Sequence, residues 1–422
     1  MTGREMTGRG PTGPRRRYKA PPPPVLIAGG GIGGLTLALS LHERGIPCRV
    51  LESAPELKQL GVGINILPHA IRELAALGLL PALDRAGIRT RELRYLNRFG
   101  SRIWTEMRGL HAGHDTPQFS IHRGRLHGLI WQAAQERLGQ QLSPGMRLVG
   151  FAQGNGSVTA NFADGSSIRG SALIGADGIH SVLRAKLHPQ DGGIRWNGIQ
   201  MWRGAVDWPA YEGGDTMVIA GDMKEKLVLY PIGPGATPGT RLTNWVVCAQ
   251  IGDPAQPPPR REDWSRPGTL EDVLPHVQRF RVPWLDVEAL VRATPEFWEY
   301  PMCDRDPLPF WTKERVTLLG DAAHPMYPVG SNGASQAILD ARALAALLAD
   351  RPVVEALAAY EAARLPATRE LVLTNRRGGP ERVVDVVSER APDGFDKLED
   401  VIAIDELAGI ARGYAQMAGF AR

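Results

Sequence analysis

Short apolar runs recur along the chain and alternate with segments of helical spacing. Four runs stand out, at residues 25–28, 48–52, 172–175 and 316–319. Runs this short and this apolar are typical of parallel strands that are buried on both faces. Apolar residues at helical spacing follow the first run over 35–44 and the last over 337–348. The pattern predicts an α/β fold with a parallel sheet.

The pattern changes between residues 194 and 298. Apolar and polar residues alternate there in short segments that Gly- and Pro-rich turns separate, as in an antiparallel sheet. We therefore predict a substrate-binding β-sheet domain inserted into a cofactor domain, followed by C-terminal helices that cap the core or form an interface. The predicted divisions are a disordered basic tail over 1–24, a cofactor domain over 25–190, the inserted domain over 191–300, the return of the cofactor domain over 301–375, and helices over 376–422.

A glycine cluster follows the first predicted strand directly. Gly29, Gly31 and Gly34 form the spacing G-x-G-x-x-G, with Gly33 in the same cluster, and Glu52 lies 18 positions after Gly34. In a strand–turn–helix unit these glycines permit a tight turn, approach of the backbone to a pyrophosphate, and close helix–strand packing. An acidic residue after the second strand can hold both ribose hydroxyls. The segment predicts a dinucleotide with a free ribose 2′-OH, as in FAD or NAD.

Two further segments place small and acidic residues directly after apolar strands. Asp177 and Gly178 follow the 172–175 run, and Asp321 follows the 316–319 run. An ordinary turn is the alternative at Asp177, because Asp-Gly is a strong turn former. After Asp321, the segment 330–334 is rich in small residues and leads into the predicted helix. Such a helix start presents backbone N–H groups to an anion.

Taken in order, these three segments resemble those of the single-component FAD-dependent aromatic hydroxylases of the para-hydroxybenzoate and salicylate hydroxylase type. The resemblance covers roughly residues 25–375. It implies a Rossmann-type FAD-binding domain with an inserted, mainly antiparallel substrate domain. It also implies FAD as cofactor, NADH or NADPH as co-substrate, and O₂ as the source of the oxygen atom that enters an aromatic ring.

Additional segments are similar to those of the phenazine-carboxylate hydroxylases within this family. They are residues 61–66, 92–95, 120–124, 201–204 and 300–309. The similarity implies an aromatic substrate that carries a carboxylate and resembles a phenazine, in secondary metabolism. The hydroxylation it implies proceeds with or without loss of the carboxylate.

The resemblance also assigns residues to the cofactor. Asp321 is expected to bind the FAD ribose, and a helix N-cap or turn is the alternative role. Arg123 is expected to contact FAD, and a surface cation is the alternative. Gly63, in the 61–66 segment, belongs to the same expected site. N–H groups around Gly330, Asn332 and Gly333 are expected to face the pyrophosphate or the flavin.

Three residues are candidates for the substrate end of the site. Arg203 could bind a substrate carboxylate through its two-pronged guanidinium, or could face solvent from its strand. Tyr230 could contact substrate, although a strand aromatic is more often part of a core. His324 could pin the 320–324 turn or face the pocket and orient the substrate. We expect the second role for His324.

The charge and the cysteine content of the chain argue against several other classes of protein. The net charge is +4, and residues 1–24 contribute +5 of it, which leaves −1 for the rest and gives no case for nucleic-acid binding. A disordered leader or a misassigned start is the alternative to a functional basic arm for this tail. The three cysteines lack a C-x-x-C spacing, so neither a metal site nor a disulfide framework is predicted. We expect a cytoplasmic monomer or homodimer without a membrane span.

Two other functions share parts of these motifs. A flavin-dependent oxidase or halogenase has the same cofactor fold, but the Trp-x-Trp-x-Ile-Pro segment that the resemblance would lead one to expect in a halogenase does not occur. A non-enzymatic NAD-binding regulator needs only the first glycine cluster and leaves the segments around Asp177 and Asp321 unexplained.

The sequence contains one dinucleotide fingerprint, and FAD is expected to occupy it. NADH or NADPH should therefore bind only transiently. We expect titration of the oxidised flavoprotein with NADH to give no stable complex tighter than about micromolar. A tighter complex would contradict the single-site interpretation.

Overall fold

The structure, a computed structural model, describes residues 22–56, 61–258 and 265–419. The predicted basic tail therefore lies mostly outside the described residues. The strands are β1 Val25–Ala28, β2 Cys48–Leu51, β3 Gly63–Ile66, β4 Ile88–Arg89, β5 Glu92–Leu96, β6 Arg102–Met107, β7 Phe119–His122, β8 Leu142–Ser143, β9 Leu148–Gly154, β10 Ser157–Phe162, β11 Ser167–Gly170, β12 Ala172–Gly175, β13 Ile194–Pro209, β14 Thr216–Gly221, β15 Glu225–Pro234, β16 Thr240–Gln250, β17 Phe297–Arg305 and β18 Val316–Leu318.

The helices lie mainly against the parallel sheet and at the C-terminus. They are α1 Ile32–Glu43, α2 Pro68–Ala76, α3 Leu80–Ala86, α4 Arg123–Leu138, α5 Val182–Leu187, α6 Leu270–Val277, α7 Val287–Arg292, α8 Gly333–Asp350, α9 Val353–Asn375, α10 Arg382–Arg390 and α11 Ile404–Met417. No helix in the described part of the chain is long and apolar enough to cross a membrane.

The four predicted apolar strands lie side by side in one parallel sheet. Its order is β18-β12-β1-β2-β8, and every pairing in it is parallel. Helices α1, α4 and α8 bury their apolar residues against it. The predicted α/β fold is confirmed. Helices α1 and α8 begin earlier than predicted, at Ile32 and Gly333, because small residues without apolar spacing form their first turns.

Close packing joins β1 to α1. Gly29 has a φ of +110°, a conformation that only glycine adopts at low cost. A Cβ atom on Gly34 would lie 2.1 Å from the carbonyl oxygen of Gly29. The turn and the first turn of the helix are therefore in direct backbone contact, and this contact fixes where the helix begins.

A seven-stranded sheet forms the second layer, in the order β17-β13-β16-β15-β14-β5-β6. The predicted antiparallel strands between 194 and 250 all belong to it. Strands β5 and β6 come from residues 92–107, and β5 pairs in parallel with β14. Local sequence patterns do not reveal a partner so distant in the chain. The domain divisions at 191 and 300 stay a prediction.

The C-terminal helices pack onto this sheet as well. Val383, Val384 and Val387 of α10 are buried in one cluster with Tyr95 and Ile219 of the sheet. The C-terminal region therefore covers part of the second layer and helps to close the space between the layers.

We expect Gly34→Ala to lower the free energy of unfolding by about 1–3 kcal/mol, because the new methyl group overlaps the carbonyl of Gly29. Urea denaturation of the cofactor-free protein measures this change. Gly31→Ala is the matched control, since a Cβ atom there would meet nothing within 4 Å. Equal destabilisation by both substitutions would contradict the packing argument.

Candidate active site

A cavity of about 1000 Å³ lies between the carboxyl ends of β1, β12 and β18 and one face of the seven-stranded sheet. Loops after parallel strands form one wall, and sheet side chains form the other. The carboxyl edge of such a sheet is where α/β folds bind nucleotide cofactors. The volume lies at the upper end of the range for small-molecule sites.

The first glycine cluster opens directly into this cavity. Gly31 and Gly33 line it, and Gly31 is the N-cap of α1 without any side-chain cap. The first N–H groups of a helix have no partner within the helix and attract anions. A Cβ atom on Gly31 would point into open space. This end of α1 therefore fits a phosphate group.

Glu52 lies beside the cluster rather than in the cavity wall. Its Oε2 accepts a hydrogen bond from the Gly30 N–H at 2.7 Å, and its Oε1 accepts one from the Ala54 N–H at 2.7 Å. Gly29 and Gly34 likewise shape the turn and do not line the cavity. Binding of a ribose by Glu52 stays a prediction.

The two residues of the Asp-Gly segment, Asp177 and Gly178, lie in different surroundings. Gly178 lines the cavity with a φ of +78°. Asp177 does not line it, in contrast to the expected contact with the cofactor, because its Oδ2 accepts a hydrogen bond from the Val182 N–H at 2.7 Å and closes the turn. Burial raises the pKa of Asp177 above its ordinary value. This hydrogen bond supports the turn role that the sequence left open, and contact of Asp177 with the cofactor stays a prediction.

Asp321 and Arg123 bring opposite charges to the cavity. Both side chains line the cavity and are exposed to the space inside it, although protein surrounds them at longer range. Asp321 accepts no hydrogen bond from the residues that the structure describes, so its carboxylate is free to bind hydroxyl groups. Burial raises the pKa of Asp321, and the nearby Arg123 and His324 oppose this rise. Burial lowers the pKa of Arg123.

The segment after Asp321 completes the cofactor wall. Gly330, Asn332 and Gly333 all line the cavity, and α8 begins at Gly333. The Asn332 side chain donates to the Gly330 carbonyl at 3.1 Å and to the Tyr414 hydroxyl at 2.8 Å. A C-terminal residue therefore holds this loop, a contact for which the sequence offers no signal.

His324 is not among the described residues that line the cavity, in contrast to the pocket-facing position that we expected. It is 3% exposed, and its Nε2 lies 2.5 Å from Oδ2 of Asp340. Its ring packs against Trp311. The turn directs the imidazole into the protein, where the buried carboxylate of Asp340 is its hydrogen-bond partner. This geometry supports the alternative role of pinning the turn.

Asp340 and Arg184 both hold the 320–324 turn, and neither was a predicted site residue. Asp340 also binds Arg364 at 2.7 Å and accepts from the Gly320 N–H at 3.2 Å. Burial would raise the pKa of Asp340, but His324 and Arg364 lower it to about 2. Arg184 is fully buried and donates to the carbonyls of residues 322 and 323. The sequence offers one indication of the role of Arg184, namely its position at the end of the Asp-Gly segment.

Arg203, Tyr230 and Tyr300 lie together on the sheet wall of the cavity. Arg203 donates to the Tyr300 hydroxyl and, at 2.8 Å, to the Gly63 carbonyl. Its guanidinium lies 5.6 Å from the centre of the Tyr300 ring. Burial raises the pKa of Tyr230 to about 12, so its hydroxyl is neutral and can donate. The three side chains form one polar group on the sheet wall, next to apolar side chains.

Lys226 and Glu381 form a buried ion pair that also lines the cavity. Glu381 in addition accepts from the Gly330 N–H at 3.4 Å. The pair connects the sheet to the cofactor loop. Sequence reasoning missed it, because a lysine in a strand and a distant glutamate carry no shared pattern.

Comparison with known proteins agrees with this geometry. The profile of the family described as FAD binding domain matches residues 23–374. The chain is 47% identical over 375 residues to the phenazine 1,6-dicarboxylic acid hydroxylase PhzS of Lysobacter antibioticus, covering 85% of this chain and 90% of that protein. It is 32% identical over 356 residues to 3-hydroxybenzoate 6-hydroxylase 1 of Aquipseudomonas alcaligenes, covering 83% and 86%.

Solved structures show the same fold. HpxO of Klebsiella pneumoniae, complexed with FAD and uric acid, superposes with a TM-score of 0.70 at 25% identity, covering 94% of this chain and 95% of that one. A salicylate hydroxylase substrate complex superposes with a TM-score of 0.73 at 23% identity, covering 94% and 98%.

Removal of the His324 imidazole should destabilise the protein rather than disturb the reaction. We expect His324→Ala to lower the free energy of unfolding by about 3 kcal/mol, because the buried Asp340 carboxylate loses its hydrogen bond with His324. Thermal denaturation and flavin content measure the loss, and His324→Gln should recover part of it. Normal stability of His324→Ala, combined with more NADH consumed per hydroxylated product, would instead support the catalytic role.

Proposed function

Because the chain belongs to the FAD-binding-domain family and is a flavin-dependent aromatic hydroxylase, we propose that its substrate is a fused-ring aromatic carboxylic acid of the phenazine type. The co-substrate is NADH or NADPH, and FAD is the cofactor. The observation that carries the substrate proposal is the single cavity in which the cofactor loops meet Arg203 and Tyr230. Oxygen enters the ring from O₂, with or without loss of a carboxylate.

The residues around the cavity fit FAD. The uncapped start of α1 and the start of α8 present N–H groups, the Gly31 position leaves room for a pyrophosphate, and Asp321 offers a free carboxylate to a ribose. Arg123 supplies a cation near the same wall. When bound, FAD supplies the redox chemistry that couples oxidation of NADH or NADPH to transfer of one oxygen atom from O₂ to the ring.

The protein's own part is to position the ring and to exclude water. Met201, Val228 and Val246 give the sheet wall an apolar surface against which an aromatic ring can pack. Arg203 supplies positive charge at one end of this surface, where an aromatic carboxylate would be held. Because Arg203 also binds the Gly63 carbonyl, it places the substrate relative to the cofactor loops.

Tyr230 acts beside Arg203. Its neutral hydroxyl can donate to a substrate carboxylate or to a hydroxyl group that forms on the ring. Lys226 is a weaker candidate for holding the carboxylate, because Glu381 already neutralises its charge. We further propose that the enzyme acts in the cytoplasm as a monomer or homodimer.

The proposal is tested by incubating the flavoprotein with NADH and phenazine-1,6-dicarboxylate, phenazine-1-carboxylate or 3-hydroxybenzoate. We expect the phenazine acids to stimulate NADH loss and to yield products heavier by one oxygen atom, or with a hydroxyl group in place of a carboxylate. Product mass with and without chloride separates hydroxylation from halogenation. Failure of every acid to stimulate NADH loss would contradict the proposed function.

Arg203→Lys tests the position of the carboxylate. We expect it to weaken binding of the phenazine acid about 10-fold, equal to about 1.4 kcal/mol, because lysine keeps the charge but lacks the two-pronged donor. Titration of the bound flavin's absorbance measures this. Arg195→Lys is the control on the same strand, because Arg195 is exposed and bound to Asp306. Equal affinity of both variants for the phenazine acid would show that Arg203 does not bind the substrate carboxylate.

A further inference from the structure

One row of directly paired residues crosses the sheet wall of the cavity. Arg203 pairs with Val246, Val246 with Val228, and Val228 with Ile219. Ile219 in turn pairs with Tyr95, and Tyr95 with Trp104. Paired residues in adjacent strands project to the same face, and all six side chains line the cavity. The row therefore runs from a polar end at Arg203 to a second end at Tyr95 and Trp104.

The middle of this row is aliphatic and wide. Val246, Val228 and Ile219 lie on three adjacent strands, which span two strand spacings, or about 10 Å. A single six-membered ring is shorter than this floor, whereas a fused system of two or three rings matches it. A flat polycyclic substrate that lies across the strands covers the floor and reaches both ends.

The second end carries hydrogen-bond donors without partners. Tyr95 is fully buried, and its hydroxyl has no hydrogen-bond partner among the described residues. The indole N–H of Trp104 and the Nε–H of Arg108 are buried without partners in the same part of the structure. All three residues line the cavity. Buried polar groups left without partners cost free energy, so such a cluster points to a ligand that supplies acceptors.

The charges at this end favour an acceptor group rather than a cation. Glu106 also lines the cavity, but the Arg108 guanidinium neutralises it at 2.5 Å. On the helical side, the cavity is lined by Ala408, Ala411 and Ala415 of α11, whose small side chains leave room above the floor. The available contacts are therefore N–H and O–H donors next to open space.

We propose that Tyr95, Trp104 and Arg108 form a far-end subsite that binds a second hydrogen-bond-accepting substituent, such as a carboxylate, on the ring most distant from Arg203. This inference rests on the proposed function and specifies its substrate as a fused aromatic acid with acceptor groups at both ends. Tyr95 and Trp104 determine specificity in this subsite and take no part in the transfer of oxygen.

Tyr95→Phe tests the subsite in the holoenzyme, with phenazine-1,6-dicarboxylate and phenazine-1-carboxylate as probes. The flavin absorbance change on titration without NADH gives the Kd of each. We expect Tyr95→Phe and Trp104→Phe each to raise the Kd of the dicarboxylate about 10-fold and to leave the Kd of the monocarboxylate unchanged. Without ligand, Tyr95→Phe should keep or raise the melting temperature, since it removes an unsatisfied buried hydroxyl.

Tyr211→Phe is the matched control. Tyr211 is also buried with an unpartnered hydroxyl, but it does not line the cavity and stacks on Trp284 instead. Its substitution should leave both Kd values unchanged. Unchanged dicarboxylate binding in Tyr95→Phe and Trp104→Phe, or an equal loss for both acids, would overturn the subsite. Binding requires no turnover, so a lack of NADH oxidation in the wild type would contradict the proposed function separately.

Discussion

The buried clamp on the 320–324 turn is the constraint on which the cavity depends. Asp340 holds the turn through His324 and the Gly320 N–H, while Arg184 holds the carbonyls of residues 322 and 323. A buried polar or charged group that loses its partner costs free energy, so these contacts restrain the position of the turn. That position directs the Asp321 carboxylate into the cavity and sets where α8 begins. Arg184 follows the Asp-Gly segment, so the clamp also fixes the second and third motifs relative to each other.

A second junction fixes the sheet wall relative to the cofactor loops. The Gly63 N–H donates to the Asn244 side chain at 2.7 Å, and the Gly63 carbonyl accepts from Arg203. A Cβ atom at residue 63 would lie 2.6 Å from both Tyr230 and Asn244, so only glycine permits the approach. The two layers therefore meet through close contacts between side chains and the Gly63 backbone, and these contacts fix the sheet wall relative to the cofactor loops.

Sequence patterns predicted the parts of this enzyme that depend on local structure. The apolar strands, the glycine turn and the antiparallel strands all follow from residues that are close in sequence, and these elements are present. The direction of His324 was not predictable, since it depends on Asp340, 16 residues later, and on a carboxylate that only the folded core buries. Strands β5 and β6 and the donors of Tyr95 and Trp104 were missed for a related reason. Their environment is created by strands more than a hundred residues away.

The cavity wall draws on residues from Gly31 to Gln416 and thus on nearly the whole length of the chain. Because the ribosome synthesises these residues in chain order, the two sides of the cavity become available at different times. The glycine turn emerges more than 350 residues before the Tyr414 hydroxyl that holds Asn332. A nascent chain can form the parallel strands of the first motif early, yet it cannot close the cavity until α11 has been made. Loading of the cofactor into its finished site therefore follows synthesis of α11, and a chain truncated before α11 would have most of the fold without a closed cavity.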